Sequence, residues 1–248
     1  MVSDQQVKRI WWCWLQGLEQ APALPRACLH SLQKYYPDYE ITVVTADNMQ
    51  EYADIPEFIL QKWHDGRIPV AQFSDILRTL LLVKHGGVWI DSTVLATAHT
   101  PAEPGGVFRE PLFFYSTFMH ADVSMAGSSW LISASCGHPV LELMREFLFA
   151  YWQQYDYLIH YYIFHFFFHM ALERYSELWQ AVPTYSNIPP HVLQFELFTP
   201  YNANRLRQIK RMSSFHKLTR HRNENTEGDI TGTFYDYIVN HTDQVLAE

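Results

Sequence analysis

Apolar and polar positions alternate in blocks along the first 100 residues, and each block predicts an element. Residues 9–15 (RIWWCWL) are an apolar run of strand length. Residues 17–25 read as a loop. Residues 26–36 read as a helix, with Pro25 near its start and Pro37 beyond its end. Residues 40–45 (EITVVT) are rich in β-branched side chains and predict a second strand. Asp47 or Asn48 can cap the next element. From Pro69 to about Lys84 the apolar positions Phe73, Ile76, Leu77, Leu80 and Leu81 recur at helical spacing, and Gly86-Gly87 stops that helix. Val88, Trp89 and Ile90 then form a short buried strand ending at Asp91. The order strand, helix, strand, helix, strand implies a largely parallel sheet. In such sheets ligands bind beyond the carboxyl ends of the strands. Trp14 and Asp91 both fall at predicted carboxyl ends, so they are candidates to share one crevice.

The second half reads as more helical. Residues 130–134 (WLISA) predict a strand. Residues 138–155 predict an amphipathic helix, with Pro139 near its start and Val140, Leu141, Met144, Phe147, Leu148 and Tyr151 on one side. Residues 157–172 predict another helix, and the end of the chain is polar and less regular. The most apolar stretch, residues 161–170, is too short to span a bilayer and is interrupted by His165 and His169. A buried helix is the favoured reading there, and peripheral contact with a membrane the lesser one. No internal repeat, low-complexity segment or linker interrupts the pattern.

Composition sharpens this picture. The chain has 248 residues, 48% of them hydrophobic, which fits one large α/β domain and excludes a disordered chain. A formal net charge of -8 argues against a nucleic-acid binder with a broad cationic footprint. A local basic run, residues 205–222, holds Arg207, Lys210, Arg211, Lys217 and Arg220. Such a run is usually a solvated face, but it can also meet a diphosphate. Aromatic residues reach 16%, with 8 Trp and 15 Tyr, which mildly favours a sugar or nucleotide ligand. The 3 cysteines show no CxxC spacing, so neither a disulfide framework nor a zinc site is expected, and a reducing compartment fits best. Residues 1–8 are polar and lack the apolar core of a signal peptide.

The most informative segment is residues 74–93, SDILRTLLLVKHGGVWIDST. On a helix, Asp75 and Arg78 share a face, away from the apolar stripe. They can form a local ion pair, or hold a sugar, one accepting from hydroxyls and the other donating. Asp91 can cap a turn, or bind a divalent cation that bridges a diphosphate. Taken singly, each residue has an ordinary reading; the combined pattern is far more specific. His165 and His169, at i and i+4, lack the glutamate of HExxH and sit among Phe residues, so buried or acceptor-side roles are expected rather than metal binding. Asp156 is a candidate for the acceptor side or a helix cap. Trp130 and Trp152 are candidates for stacking on an acceptor sugar or for core packing. Gly105-Gly106 is a turn signal. No Walker motif, GxGxxG or GxSxG occurs.

SDILR, a helix and then GGVWID resemble the donor-site core of GT-A-fold glycosyltransferases, and most of all the capsular polysaccharide synthesis protein family, related to the DxD-containing sugar transferases. The opening IWWCWLQG, the segment APALPRACLHSLQKYYPDYEITVV, Tyr151-Trp152 and the late HKLT fall in the expected order. The resemblance implies a Rossmann-like GT-A nucleotide-sugar-binding fold, with a mainly parallel central sheet and added helices in the second half. It implies a single domain over residues 1–248. Residues 1–100 would form the nucleotide-sugar-binding half, and residues 101–248 the acceptor-side half with a closing C-terminal segment.

The resemblance also assigns roles. Trp14 stacks on the base, with Gln16 close by. Asp75 and Arg78 hold ribose and sugar hydroxyls. Asp91 is the first acid of the DxD motif, followed by Ser92 and Thr93. His216 and Lys217 close over the diphosphate, His216 as a metal ligand and Lys217 as a countercharge. Asp91 and Arg78 are the expected catalytic pair, with Trp130 and Asp156 on the acceptor side. The second acid is replaced by Thr93, a neutral and weaker ligand, so dependence on Mn²⁺ or Mg²⁺ is expected to be weak.

The implied reaction is retaining transfer of a hexose from a UDP-linked donor to a hydroxyl of a glycan or lipid-linked saccharide in capsular or surface polysaccharide synthesis. The expected setting is the cytoplasm, in peripheral contact with membrane-bound synthesis machinery at the inner face. Two alternatives stand beside it. One is a non-catalytic sugar-nucleotide binding module. The other is a glycoside hydrolase that would use Asp75 and Asp91 as its carboxylate pair.

Overall fold

The computed structural model describes residues 8–98, 106–117, 125–220 and 229–247. Residues 1–7, which carry the polar N-terminal reading, and Gly105 lie outside the described residues, as does Arg222 of the basic run. The first part of the chain runs β1 (Arg9–Cys13), α1 (Ala23–Tyr35), β2 (Glu40–Val44), α2 (Met49–Tyr52), α3 (Glu57–His64), α4 (Val70–His85) and β3 (Gly87–Ile90). Next come β4 (Val94–Ala96), β5 (Leu112–Ser116), β6 (Gly127–Ala134), α5 (Pro139–Gln154), α6 (Ile163–Arg174) and α7 (Ser176–Gln180). The chain ends through α8 (Ile188–Glu196), α9 (Ala203–Lys210), β7 (Phe215–Lys217), α10 (Phe234–Asn240) and α11 (Thr242–Ala247).

A 5-stranded sheet with the order β2-β1-β3-β6-β5 forms the centre. β1 pairs parallel with both β2 and β3. β6 runs antiparallel to β3, and β5 antiparallel to β6. Every strand but β6 therefore runs the same way, which is the mainly parallel sheet expected from the first half.

β1 is apolar from Ile10 onward because both of its faces are covered. Trp11 and Trp89 pack with α4, α5 and α6 on one side, while Trp12 and Ile90 pack on the other with Leu29, Leu32, Tyr36 and Phe215. Full burial of side chains of this size contributes roughly 1.5–3 kcal/mol each. Among the described residues, no helix is long and apolar enough to cross a membrane.

The turn from α4 into β3 fixes where Asp91 emerges. Gly86 and Gly87 have φ of 67° and 92°, which glycine adopts without the strain a side chain would bring. A Cβ at Gly86 would lie 2.7 Å from the Cys136 backbone nitrogen, and one at Gly87 would lie 2.8 Å from the Arg9 carbonyl oxygen. Trp11 Nε1 donates to the Gly86 carbonyl over 2.9 Å, tying β1 to the same turn. Any side chain at Gly87 would push β3 from β1 and move Asp91 with it.

The chain departs from expectation in three places. α6 begins at Ile163 rather than at residue 157. Before it, residues 155–162 place their backbone groups on side chains instead of in a helix. Tyr151 Oη donates to the Tyr157 carbonyl (2.6 Å) and accepts from the Ile159 N–H (2.9 Å), and Lys62 Nζ donates to the Tyr155 carbonyl (3.0 Å). α1 begins at Ala23, with Pro25 in its first turn, where a missing N–H is tolerated. The polar end of the chain is largely regular. α8 to α11 bury Leu193, Leu206, Ile209, Phe234 and Ile238 against Leu24 and Cys28 of α1.

Candidate functional site

Asp75 and Arg78 lie one turn apart on α4, and Asp91 comes directly after β3. The side of α4 that carries Arg78 does not face solvent: Arg78 is 4% exposed. Its guanidinium lies between the rings of Trp89 (4.9 Å) and Phe164 (5.3 Å). Its Nη1 donates to Asp75 Oδ1, and its Nη2 donates to Asp91 Oδ1 over 3.1 Å. The two carboxylates thus share one guanidinium.

Asp91 collects further donors. Trp89 Nε1 reaches Oδ1 at 2.9 Å and Lys217 Nζ reaches Oδ2 at 2.8 Å. Lys217 Nζ also donates to Thr93 Oγ1 over 2.8 Å. The Asp91 N–H continues the β3–β6 ladder by donating to the Trp130 carbonyl (2.8 Å), and its carbonyl accepts from the Val94 N–H (3.1 Å) to open a turn, while its side chain goes to Trp89, Arg78 and Lys217. Burial by itself would raise the Asp91 carboxyl, but Lys217 and Arg78 together hold it below the usual carboxylate range. At Asp75 the balance reverses. Burial outweighs the Arg78 guanidinium and pushes the carboxyl up to about 6.

Lys217 reaches this cluster from the far end of the chain. β4 leaves the Asp91-Ser92-Thr93 turn and pairs antiparallel with β7, which sets Lys217 opposite Val94 and His216 opposite Leu95. Side chains alternate across a strand. Lys217 therefore faces Asp91, and His216 faces the other way. His216 is 0% exposed, lies with its Nε2 3.0 Å from Thr97 Oγ1, and lines neither cavity beside Asp91. Burial lowers its pKa to about 3. The expected metal-ligand role of His216 is corrected on this geometry.

Two cavities meet at Asp91. One, of about 300 Å³, is walled by Trp14, Gln72, Asp75, Arg78 and Ser92. The other, of about 620 Å³, is walled by Ser128, Trp130, Asn187, His191 and Gln194. Asp91, Thr93, Tyr161, His165, Lys217 and Arg220 line both. Trp14 continues the β1–β2 pairing, its N–H donating to the Val44 carbonyl (3.0 Å), and the Arg220 guanidinium lies 5.2 Å from the centre of its ring. Trp130 stacks on Tyr115 at 4.8 Å and donates from Nε1 to Asn187 Oδ1 over 2.8 Å. A further hollow of about 660 Å³ lies between α1 and the α10–α11 turn. Its charged groups Arg26, His30 and Asp243 are solvent-exposed, and it brings no buried polar cluster together.

The structure thus brings Trp14, Asp75, Arg78, Asp91, Ser92, Thr93, Lys217 and Trp130 to the paired cavities and leaves three candidates outside, His216, Gln16 and Asp156. Gln16 is exposed and lines neither. Asp156 is a surface residue, 59% exposed, bound to Lys62 at 2.8 Å and Arg67 at 3.2 Å, and its acceptor-side assignment is corrected. Of the two histidines on α6, His165 lines the cavities, while His169 pairs with Glu173 at 3.3 Å. Sequence reasoning missed Gln72, Tyr161, Tyr162, Asn187 and His191. None carries a motif, and only the fold places them together.

A divalent cation fits these side chains poorly. Both carboxylate oxygens of Asp91 already accept from cationic donors, and the Lys217 ammonium sits between Asp91 and Thr93. Among the described residues, no group of three or more His, Cys, Asp or Glu side chains is arranged to hold a metal ion.

A protein-family model described as "Capsular polysaccharide synthesis protein" matches residues 2–238 of the chain. No curated protein matches it. Among solved structures, the PaToxG glycosyltransferase is similar at 13% identity and a TM-score of 0.47, covering 96% of this chain and 86% of that one. The galactosyltransferase LgtC, solved with donor and acceptor sugar analogues, is similar at 10% identity and a TM-score of 0.46, covering 96% and 95%. Likeness at this level carries no argument about the site.

Proposed function

The chain belongs to the capsular polysaccharide synthesis protein family, and from that premise we propose that it is a GT-A-type glycosyltransferase using a nucleoside diphosphate sugar. The observation that carries this reading is the part-buried run Asp75–Arg78–Asp91–Lys217, centred on the buried Arg78, at the floor of a cavity walled by Trp14. It combines what a sugar nucleotide needs: an aromatic face for the base, carboxylates that accept from hydroxyls, and cations for a diphosphate.

In this reading the donor is a UDP-linked hexose. Trp14 stacks on the base, Asp75 and Arg78 hold ribose and hexose hydroxyls, and Lys217 with Arg220 neutralises the leaving diphosphate. Ser92 and Thr93 add hydroxyl contacts. The acceptor, a hydroxyl of a growing glycan or lipid-linked saccharide, enters the larger cavity against Trp130. Retention of configuration accords with Lys217 lining both cavities, since the countercharge of the leaving group then stands beside the incoming hydroxyl. A setting at the inner face of the membrane accords with exposed Tyr157, Ile159 and Tyr161, which lie on the segment bordering the cavities.

Lys217 takes the place of a divalent cation in this reading. Its ammonium supplies fixed positive charge where the leaving diphosphate develops negative charge, so Mn²⁺ or Mg²⁺ adds little. The test is a thermal-shift panel of UDP-glucose, UDP-galactose and UDP-N-acetylglucosamine, with Mn²⁺ or with EDTA, followed by assay of UDP release. At least one donor is expected to raise Tm, with UDP release in EDTA within about twofold of that in Mn²⁺. No stabilisation by any donor would overturn the donor reading. Loss of UDP release in EDTA, restored by Mn²⁺, would overturn the metal reading alone.

A further inference from the structure

His165 occupies the first turn of α6 and lines both cavities. Its Nδ1 lies 3.0 Å from the Gly127 carbonyl oxygen. A carbonyl only accepts, so Nδ1 carries the hydrogen, and in the neutral ring the lone pair is on Nε2. The mount is rigid. Gly127 lies in β6, and any Cβ there would sit 2.3 Å from the Phe114 ring, so the strand passes directly beneath it. Phe164 and Phe168 fix the same turn of α6 in the core.

The groups facing His165 come from each surrounding element. Asp75 and Arg78 stand on α4, Asp91 follows β3, Tyr161 and Tyr162 precede α6, and Lys217 and Arg220 come from the β7 side. Burial, with Arg78 adding to it, keeps the imidazole below its usual range, against smaller opposing effects of the Gly127 carbonyl and Asp91. The ring is therefore neutral near pH 7.

A diphosphate oxygen paired with Lys217 and Arg220 is a poor proton acceptor, because neighbouring cations favour its ionised form. A neutral imidazole between the two cavities is a better one. The geometry points to His165 Nε2 as the base that takes the proton of the acceptor hydroxyl as it attacks. This deepens the transferase reading above and rests on it. The acceptor oxygen forms a bond to the anomeric carbon. The bond from that carbon to the diphosphate oxygen breaks, and its electron pair leaves with the nucleoside diphosphate. The hydroxyl proton passes to Nε2, and the imidazolium returns it to solvent.

His165→Asn separates the two ring nitrogens, since its side-chain amide can still donate to the Gly127 carbonyl but nothing replaces Nε2. With whichever UDP-sugar of the panel stabilises the wild type, H165N is expected to keep the donor-induced Tm shift. Its UDP release falls by about 100-fold or more. Two groups shape the acid-side limb of the wild-type pH–rate profile, Asp75 at about 6 and His165 below its usual range, and in H165N the limb is expected to reduce to that of Asp75 alone. H165Q, which carries an amide oxygen near the Nε2 position without its basicity, is expected to lose the same activity. Wild-type release by H165N overturns the proposal, as does a parallel loss of donor binding and release, or a wild-type profile with no acid limb. A wild type that no panel donor stabilises instead overturns the donor reading underneath.

Discussion

The two cavities that meet at Asp91 are held together by different forces. The smaller one is electrostatic. Its floor is a chain of alternating charges, two carboxylates and two cations, with one guanidinium clamped between two aromatic rings. The larger one shares Asp91, Lys217 and Arg220 with it, and the rest of its wall carries neutral groups tied to backbone or amide partners. Trp130 donates to Asn187, His165 is bonded to Gly127, and His191 Nδ1 lies 2.7 Å from the Asn187 carbonyl. A fixed array of charges suits a diphosphate, whose negative charge grows as it leaves. Neutral acceptors beside aromatic walls suit a sugar alcohol, which carries no charge and is recognised by hydrogen bonds and ring faces.

Asp91→Asn should damage the charged side most and is the largest effect we expect. The amide keeps one acceptor oxygen but turns an NH₂ towards Lys217 Nζ or Arg78, setting donor against donor. Transfer should fall roughly 1,000-fold, the size of loss seen when a preorganised electrostatic group is removed. The measurement is UDP release under saturating donor. Near-wild-type turnover would mean that the charge chain is only structural, and the contrast between the cavities would collapse.

Trp130→Phe probes the neutral side and should be milder. The ring persists on Tyr115, but the N–H to Asn187 is lost and the aromatic face shrinks. The acceptor KM should rise by about 3–10-fold, a cost of about 1 kcal/mol. The donor-induced Tm shift should stay unchanged. A variant that weakens donor binding as much as acceptor use would show that the cavities are one site, not two.

This division also explains what was legible in the sequence. The charged side comes largely from residues 74–93, where helix, glycine stop, strand and acid follow in order, so periodicity and turn chemistry place Asp75, Arg78 and Asp91 together. Trp14 was legible for the same reason, since it ends a run that reads as a strand. The pairing of Lys217 with Asp91 depends on the β4–β7 ribbon, 126 positions apart in sequence. Three-residue strands leave no periodicity from which to tell which of His216 and Lys217 faces the site. Asp156 misled because its partners, Lys62 and Arg67, lie on and just after another helix, far away in sequence. The neutral side draws on β6, residues 155–162 and α8, and its polar atoms bind mostly to backbone. Backbone partners leave no trace in side-chain identity.

Asp75→Asn gives the smallest effect and the sharpest test of the contrast, because it reads stability rather than rate. The Asp75 carboxyl is raised from 3.8 to about 6 in the fold. The folded protein therefore holds this proton more tightly than the unfolded chain. Its contribution to stability is fully present below about pH 4 and is lost as pH rises through about 6. An asparagine mimics the protonated acid in shape and keeps an acceptor for Arg78, but does not ionise. Near pH 7.5 the variant should melt a few degrees above the wild type, at roughly 2–4 °C per kcal/mol for a chain of this size. Near pH 5, where the wild-type carboxyl is mostly protonated, the two curves should converge. Donor binding should weaken in the variant, since the charged acceptor for hydroxyls is gone. A variant less stable than the wild type at both pH values would make Asp75 a structural partner of Arg78. Greater stability bought at the expense of donor binding would mark the charged cavity as held in a costly state for its ligand, a cost that the neutral wall of the larger cavity, where Trp130, His165 and His191 already have partners, does not carry.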